Sequence, residues 1–139
     1  MKKKALVIDD DVCFLNIAVE CLSDRGFAVT SALRATCPMI EQNSATCPFA
    51  TFGYDIILSD NRMPGMTGLE FFEYQRQRGC KLPPCCKALI SGDISGEDQR
   101  MAESIGYKVF HKPTPLALID QWIDDVLDNH SETGGMLHA

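Results

Sequence analysis

The sequence predicts an α/β fold, a single domain built on a parallel sheet with helices packed on its faces. Two observations carry that prediction. Short, β-branched apolar runs alternate with amphipathic stretches along the chain, the pattern of repeated βαβ units. Two of those runs, Ala5-Leu6-Val7-Ile8 and Asp55-Ile56-Ile57-Leu58-Ser59-Asp60, end in acids, the first of them leading into Asp9-Asp10-Asp11. Open α/β sheets form ligand crevices outside the carboxyl ends of their strands, so these acids fall where such a fold places its chemistry. A length of 139 residues suits one domain whose core needs no disulfide or metal staple.

The elements follow in order. Ala5–Ile8 is the first strand, led in by Lys2-Lys3-Lys4. Asp11 is placed to cap a helix, since its carboxylate can accept from backbone N–H groups of the first turn. Leu15, Ala18, Val19 and Leu22 recur at helical spacing, and Gly26 ends that helix. Phe27 to Ala32 is the second strand. From Arg34 to Phe52 the prolines at 38 and 48 interrupt any long helix, which leaves a short helix around Met39–Asn43 and a long loop. Ala-Thr-Cys-Pro occurs twice there, too little for a repeat architecture. Asp55–Asp60 is the third strand, followed by the turn residues Asn61 to Gly68. Leu69, Phe72 and Tyr74 mark a helix ending near Gly79. Pro83-Pro84 precede a fourth strand, Ala88–Ile90, closed by Ser91-Gly92-Asp93. A helix from Gly96 to Ile105 stops at Gly106, and Val109–His111 is a short fifth strand broken by Lys112-Pro113. The last helix is expected over Pro115–Asn129, with Leu116, Ile119, Ile123 and Leu127 on one face. The domain should thus span 1–129. Residues 130–139 lack apolar periodicity and are expected to be a disordered tail.

Composition excludes several classes. Hydrophobic residues at 45% and charged residues at 23% are ordinary for a soluble globular chain. A net charge of −6 argues against a nucleic-acid surface, which needs clustered Lys and Arg. No apolar stretch approaches the ~20 residues of a membrane span. The four-residue apolar run behind the lysines is too short for a signal-peptide core, so a cytoplasmic location is expected. The seven cysteines (Cys13, Cys21, Cys37, Cys47, Cys80, Cys85, Cys86) are odd in number and irregularly spaced, a poor disulfide framework. Cys80, Cys85 and Cys86 offer no Cys-x-x-Cys pair and no nearby histidine, so a zinc site is disfavoured and reduced thiols are expected.

Asp9-Asp10, Asp60, Ser91 and Lys112 all fall at strand ends, and the strand ends of one polarity share one edge of a parallel sheet. Carboxylates brought together repel and call for a cation. A hard divalent ion, Mg2+ or Mn2+, suits oxygen ligands. A carboxylate can also attack a phosphoryl group to form an aspartyl phosphate, while a hydroxyl and an ammonium steady the remaining oxygens. Any one of these residues alone reads equally well as a loop or cap residue. Their joint placement at strand ends does not.

At these residues the chain resembles the response-regulator receiver domain of two-component signalling, over roughly Lys4 to Leu127. The motifs are Val7-Ile8-Asp9-Asp10, Leu58-Ser59-Asp60 with Met63-Pro64-Gly65-Met66-x-Gly68, Leu89-Ile90-Ser91-Gly92, and Lys112-Pro113. The resemblance implies a doubly wound, flavodoxin-like fold: five parallel strands in 2-1-3-4-5 order, flanked by five helices. It implies Asp60 as phosphoacceptor. Asp10 would ligate the metal directly with Asp9 assisting, and Asp60 and the Arg62 backbone carbonyl would complete the set. Ser91 and Lys112 would contact the phosphoryl group. Lys112–Pro113 would be cis, a geometry nearly confined to proline. Implied partners are a histidine kinase or a histidine phosphotransfer protein, with no nucleic acid or membrane contact. Chemistry would be limited to the domain's own phosphorylation and dephosphorylation.

The chain departs from the family pattern in three places. Val109 stands three residues before the lysine, where an aromatic switch residue is usual, and Phe110 should face the other side of the strand. The Gly106–Lys112 segment is a residue short, which with Lys-Pro-Thr-Pro is similar to receivers of hybrid histidine kinases. The Arg34–Phe52 region is longer than usual. In the last helix, Leu118 and Trp122 with Val109 could form an apolar face for a partner or a homodimer. Against that, Trp122 could pack at the core margin with its indole N–H in water. Two rival functions remain. A haloacid-dehalogenase-type phosphatase would want Asp-x-Asp-x-Thr/Val, but Cys13 stands at the last of those positions. An interaction module that has lost phosphorylation would have no use for the retained acids.

Overall fold

A computed structural model of the protein describes residues 3–36 and 53–136. Five strands form one sheet: β1 (Lys4–Ile8), β2 (Ala28–Ala32), β3 (Ile56–Asp60), β4 (Lys87–Ser91) and β5 (Lys108–His111). Their spatial order is β2-β1-β3-β4-β5, and every neighbouring pair is parallel. The flavodoxin-like prediction holds in strand number, direction and order. Every residue of β3 and β4 is buried, as is every residue of β1 after Lys4, because helices cover both faces of these inner strands. The edge strand β2 alternates exposed and half-buried positions.

Around the sheet lie α1 (Val12–Asp24), α2 (Gly68–Gln77), α3 (Gly96–Ile105) and α4 (Leu116–Met136), with a 3-10 turn at Pro84–Cys86. Four of the five expected helices are thus present among the described residues. The short helix expected at Met39–Asn43, like Cys37 and Cys47, lies outside them. The starts follow the cap chemistry. Asp11 accepts from the N–H groups of Cys13 and Phe14 at 3.0 and 3.3 Å. Thr67 and Glu70 form a reciprocal capping box at the head of α2. Gly106 closes α3 at φ 116°, a left-handed conformation that a Cβ would strain.

Two expectations about the last helix need correction. Its buried face is Ile119, Trp122, Ile123 and Val126, whereas Leu116 is 41% exposed and Leu127 only half-buried. The predicted stripe was rotated, because Trp122 and Val126 satisfy helical spacing with Ile119 and Ile123 just as well and bury more. The helix also continues to Met136, into the stretch expected to be disordered. Extending a formed helix costs far less than starting one, so the loss of apolar periodicity does not by itself end it. No helix among the described residues is long and apolar enough to cross a membrane. Among the described residues, Cys13, Cys21, Cys80, Cys85 and Cys86 form no disulfide.

A polar network at the amino edge of the sheet has no counterpart in the sequence reading. Lys87, 1% exposed, donates to the Gln75 amide oxygen at 2.9 Å. Glu73 accepts from the Tyr107 hydroxyl at 2.5 Å and from two Arg76 nitrogens. The Arg76 hydrogen bond holds the Glu73 carboxyl below its usual range, while burial and Glu73 push the Tyr107 phenol up. The buried Lys87 charge is tolerated here because it is hydrogen-bonded and lies near enough to Glu73 to lower that carboxyl.

Candidate functional site

At the opposite, carboxyl edge the strands deliver the acids. In β1–β3 pairing Ile8 stands beside Ser59, so the residues that follow them, Asp9 and Asp60, emerge side by side. Asp60 also pairs with Ile90, which sets Ser91 one step beyond it, and Ser91 pairs with His111, just before Lys112. The register thus converges four separate segments on one point. Asp9 is fully buried and Asp60 is 5% exposed, whereas Asp10 is open to solvent. Lys112 reaches across from the end of β5, its Nζ 3.1 Å from Asp9 Oδ2 and 3.7 Å from Asp60 Oδ2. Its backbone N–H donates to Ser91 O at 2.9 Å, and Lys112–Pro113 is cis. Asp10, Asp60, Arg62, Ser91, Asp93 and Lys112 line a cleft of about 420 Å3.

The electrostatics are unbalanced. Carboxylate oxygens of Asp9, Asp10 and Asp60 lie within 4.8 Å of one another, and Lys112 contacts two of the three, Asp9 and Asp60. Burial, then the Asp9 charge, pushes the Asp60 carboxyl up to about 6, although Lys112 and the Arg62 N–H pull the other way. Burial lowers the proton affinity of Lys112, but its hydrogen bond to Asp9 and the charges of Asp60 and Asp9 outweigh that and leave it raised. Three hard oxygen donors with an excess of negative charge fit a divalent cation of the Mg2+ type.

Several contributors were missed from sequence. Asn61, 7% exposed, accepts the Leu69 N–H on its side-chain oxygen at 3.0 Å and the Gly68 N–H on its carbonyl at 2.9 Å. It ties the end of β3 to the head of α2 and so fixes the loop carrying Arg62. An Asn just ahead of a capping box was the available signal. Gly68 is required for this approach, since a Cβ there would lie 2.6 Å from Asp60 O. The Phe14 ring sits 5.2 Å from Lys112 Nζ, within cation–π range. Asp93 accepts from both Ser91 and Arg62.

The proposed partner face is only partly a surface. Trp122 is 5% exposed, packs edge-on against Phe110 at 6.0 Å, and donates its indole N–H to Cys85 O at 3.2 Å. It is a core residue whose N–H meets a backbone carbonyl. Val109 is half-buried and Leu118 is 54% exposed.

A family model described as the response regulator receiver domain matches residues 5–121. No curated protein matches. Among solved structures, a receiver domain protein from Methanospirillum hungatei JF-1, described as CheY-like, is 22% identical and superposes with a TM-score of 0.71, over 95% of this chain and 99% of that one. The receiver domain of the Francisella response regulator 1452 is 23% identical at 0.70, over 94% and 98%. A receiver domain protein from Clostridium thermocellum is 19% identical at 0.72, over 93% and 97%. At these identities the superpositions speak for the fold alone.

Proposed function

Because the chain belongs to the response regulator receiver domain family, we propose that Asp60 is the site at which it takes up a phosphoryl group in a two-component phosphorelay. The observation that carries this reading is one carboxylate at a strand end, flanked by two more and touched by Lys112. In the step, an Asp60 carboxylate oxygen attacks phosphorus and the P–N bond of a phosphohistidine donor breaks. The electron pair leaves with the imidazole nitrogen, and an acyl phosphate forms on Asp60. Lys112 neutralises charge on the incoming group, and Ser91 offers a hydroxyl donor from the neighbouring strand end. Asp9 holds Lys112 in place. Asp10, Asp9, Asp60 and the Arg62 carbonyl are the groups that would hold a Mg2+ or Mn2+ ion. That ion, when bound, supplies positive charge to the phosphoryl oxygens.

The donors are a histidine kinase or a histidine phosphotransfer protein, and the setting is cytoplasmic signalling. The domain acts on no other substrate, and it uses neither nucleic acid nor membrane. Intact-mass spectrometry with Mg2+ and acetyl phosphate should show one added phosphoryl group on the protein and none on Asp60→Ala. Equal labelling of that variant would sink the assignment.

A further inference from the structure

Asp93 occupies a position that none of the site roles accounts for. It lies two residues past Ser91, in the loop between β4 and α3, with its carboxylate at the cleft. One oxygen accepts from Ser91 Oγ at 3.3 Å, and the other from Arg62 Nη1 at 2.5 Å. Its own N–H donates back to Ser91 Oγ at 3.2 Å, which holds the loop in this arrangement. Ser91 is fully buried, so its hydroxyl has few directions in which to donate. The Asp93 carboxylate therefore uses the very donor that an acyl phosphate on Asp60 would need. It also holds the guanidinium that borders the same cleft.

We propose that Asp93 is an internal stand-in for the phosphoryl group, a positioning residue that keeps Ser91 and Arg62 occupied until Asp60 is modified. The inference rests on Asp60 being the phosphoacceptor. An anion at Asp60 then competes with Asp93 for two donors, and Asp93 must let go for both to turn inward. A ligand shifts such an equilibrium only by its differential contacts, and here those contacts are exchanged one carboxylate for one phosphoryl group. Both Arg62 and Asp93 are largely solvated, so the barrier is modest. An exposed ion pair together with one hydrogen bond corresponds to about a five- to tenfold effect on affinity.

The test uses beryllofluoride with Mg2+ as the probe of the modified state, and acetyl phosphate labelling as a second readout. Asp93→Asn should tighten beryllofluoride binding about five- to tenfold, and Asp93→Glu should restore the ordinary affinity. Plain repulsion of an anionic probe by Asp93 would also give tighter binding, so the coupling to Arg62 decides. Under the stand-in, the gain from Asp93→Asn shrinks in an Arg62→Ala background, because one of the two donors has gone. Under repulsion alone it grows, because Arg62 no longer screens the charge. A gain that persists or grows overturns the proposal, as does unchanged affinity in Asp93→Asn and in a second variant, Asp93→Ser. Labelling keeps the two readings apart. If Asp60→Ala labels like the parent, the phosphoacceptor reading fails. If labelling is lost in Asp60→Ala while the Asp93 variants bind the probe unchanged, only the stand-in fails.

Discussion

Removing the charge of Asp60 should make the metal-free protein more stable, and the gain should depend on pH. Burial and the adjacent Asp9 raise the Asp60 carboxyl from its ordinary 3.8 to about 6. A carboxyl with a raised folded pKa binds protons in the folded state that the unfolded chain has already released. Stability therefore falls as pH rises through that interval. At about 1.36 kcal/mol per tenfold change in proton affinity, the interval corresponds to about 3 kcal/mol once both states are ionised. Lys112 already acts within that figure, and Asp60 is 5% exposed, so little is lost to solvent screening. Asp60→Asn keeps an oxygen for the Arg62 N–H, which donates to Asp60 Oδ1 at 3.3 Å, and carries no charge to bury. Urea unfolding with a chelator present should show the variant more stable by about 2–3 kcal/mol at pH 7.5. By the same linkage the difference shrinks to about 1 kcal/mol at pH 4.5. Saturating Mg2+ should narrow the gap by stabilising the parent. A variant less stable than the parent at pH 7.5, or a gap independent of pH, would refute the reasoning.

Three further outcomes follow from the geometry. Asp10→Asn should weaken Mg2+ binding by at least about tenfold in calorimetric titration while the melting temperature of the metal-free protein holds, because an exposed hard ligand is lost and no packing changes. An unaltered titration would remove Asp10 from the metal site. Gly68→Ala should destabilise by about 2 kcal/mol or more, since its Cβ would meet Asp60 O at 2.6 Å and Leu89 Cδ2 at 2.7 Å. A cost within experimental error would mean that the head of α2 can shift freely. Trp122→Ala should cost about 3–5 kcal/mol as a core truncation, with no change in sedimentation of the folded fraction. A stable variant with altered self-association would restore Trp122 to a surface role.

How legible the molecule was in sequence depended on how local each determinant is. The inner strands were plain because burial on both faces demands continuous apolar, β-branched runs such as Leu6-Val7-Ile8 and Ile56-Ile57-Leu58. The site acids were plain because each terminates such a run. Resemblance then supplied what periodicity could not, the strand order that the sheet shows and Asp60 as the proposed phosphoacceptor. The last helix was misread because Leu116, Trp122 and Val126 compete for one face, and contacts from distant segments, Phe110 and Cys85 on Trp122, are not written in the helix's own sequence. Phe14 and Asp93 escaped notice for a different reason. Their roles consist of contacts between separate segments, and nothing in their own neighbourhoods distinguishes them from ordinary loop or helix residues. Lys87 was likewise unremarkable until Gln75 appeared beside it.

The two edges of the sheet solve the problem of buried charge in opposite ways, and the contrast locates the working end. At the amino edge the Lys87 ammonium donates to the neutral Gln75 amide and acts through its charge on Glu73, which also has Arg76 and Tyr107, so opposite charges offset one another there. At the carboxyl edge three carboxylates cluster while Lys112 pairs with only Asp9 and Asp60, and the surplus negative charge persists in the folded state. A fold that satisfies its polar groups elsewhere but leaves them unbalanced at one cleft marks that cleft as functional. The same comparison bears on where a change at Asp60 can travel. Phe110 is pinned by Trp122 on the core side of β5, and Val109 presents no ring to rotate. The β4–α3 loop is held mainly by Asp93, through exposed or solvent-adjacent contacts with Ser91 and Arg62. Modification of Asp60 alters the charge those contacts feel, whereas within β5 Phe110 is secured by apolar packing on Trp122 and only Lys112, beyond the strand's end, touches Asp60. The loop is therefore the softer element, and the response should leave the site along β4 toward α3.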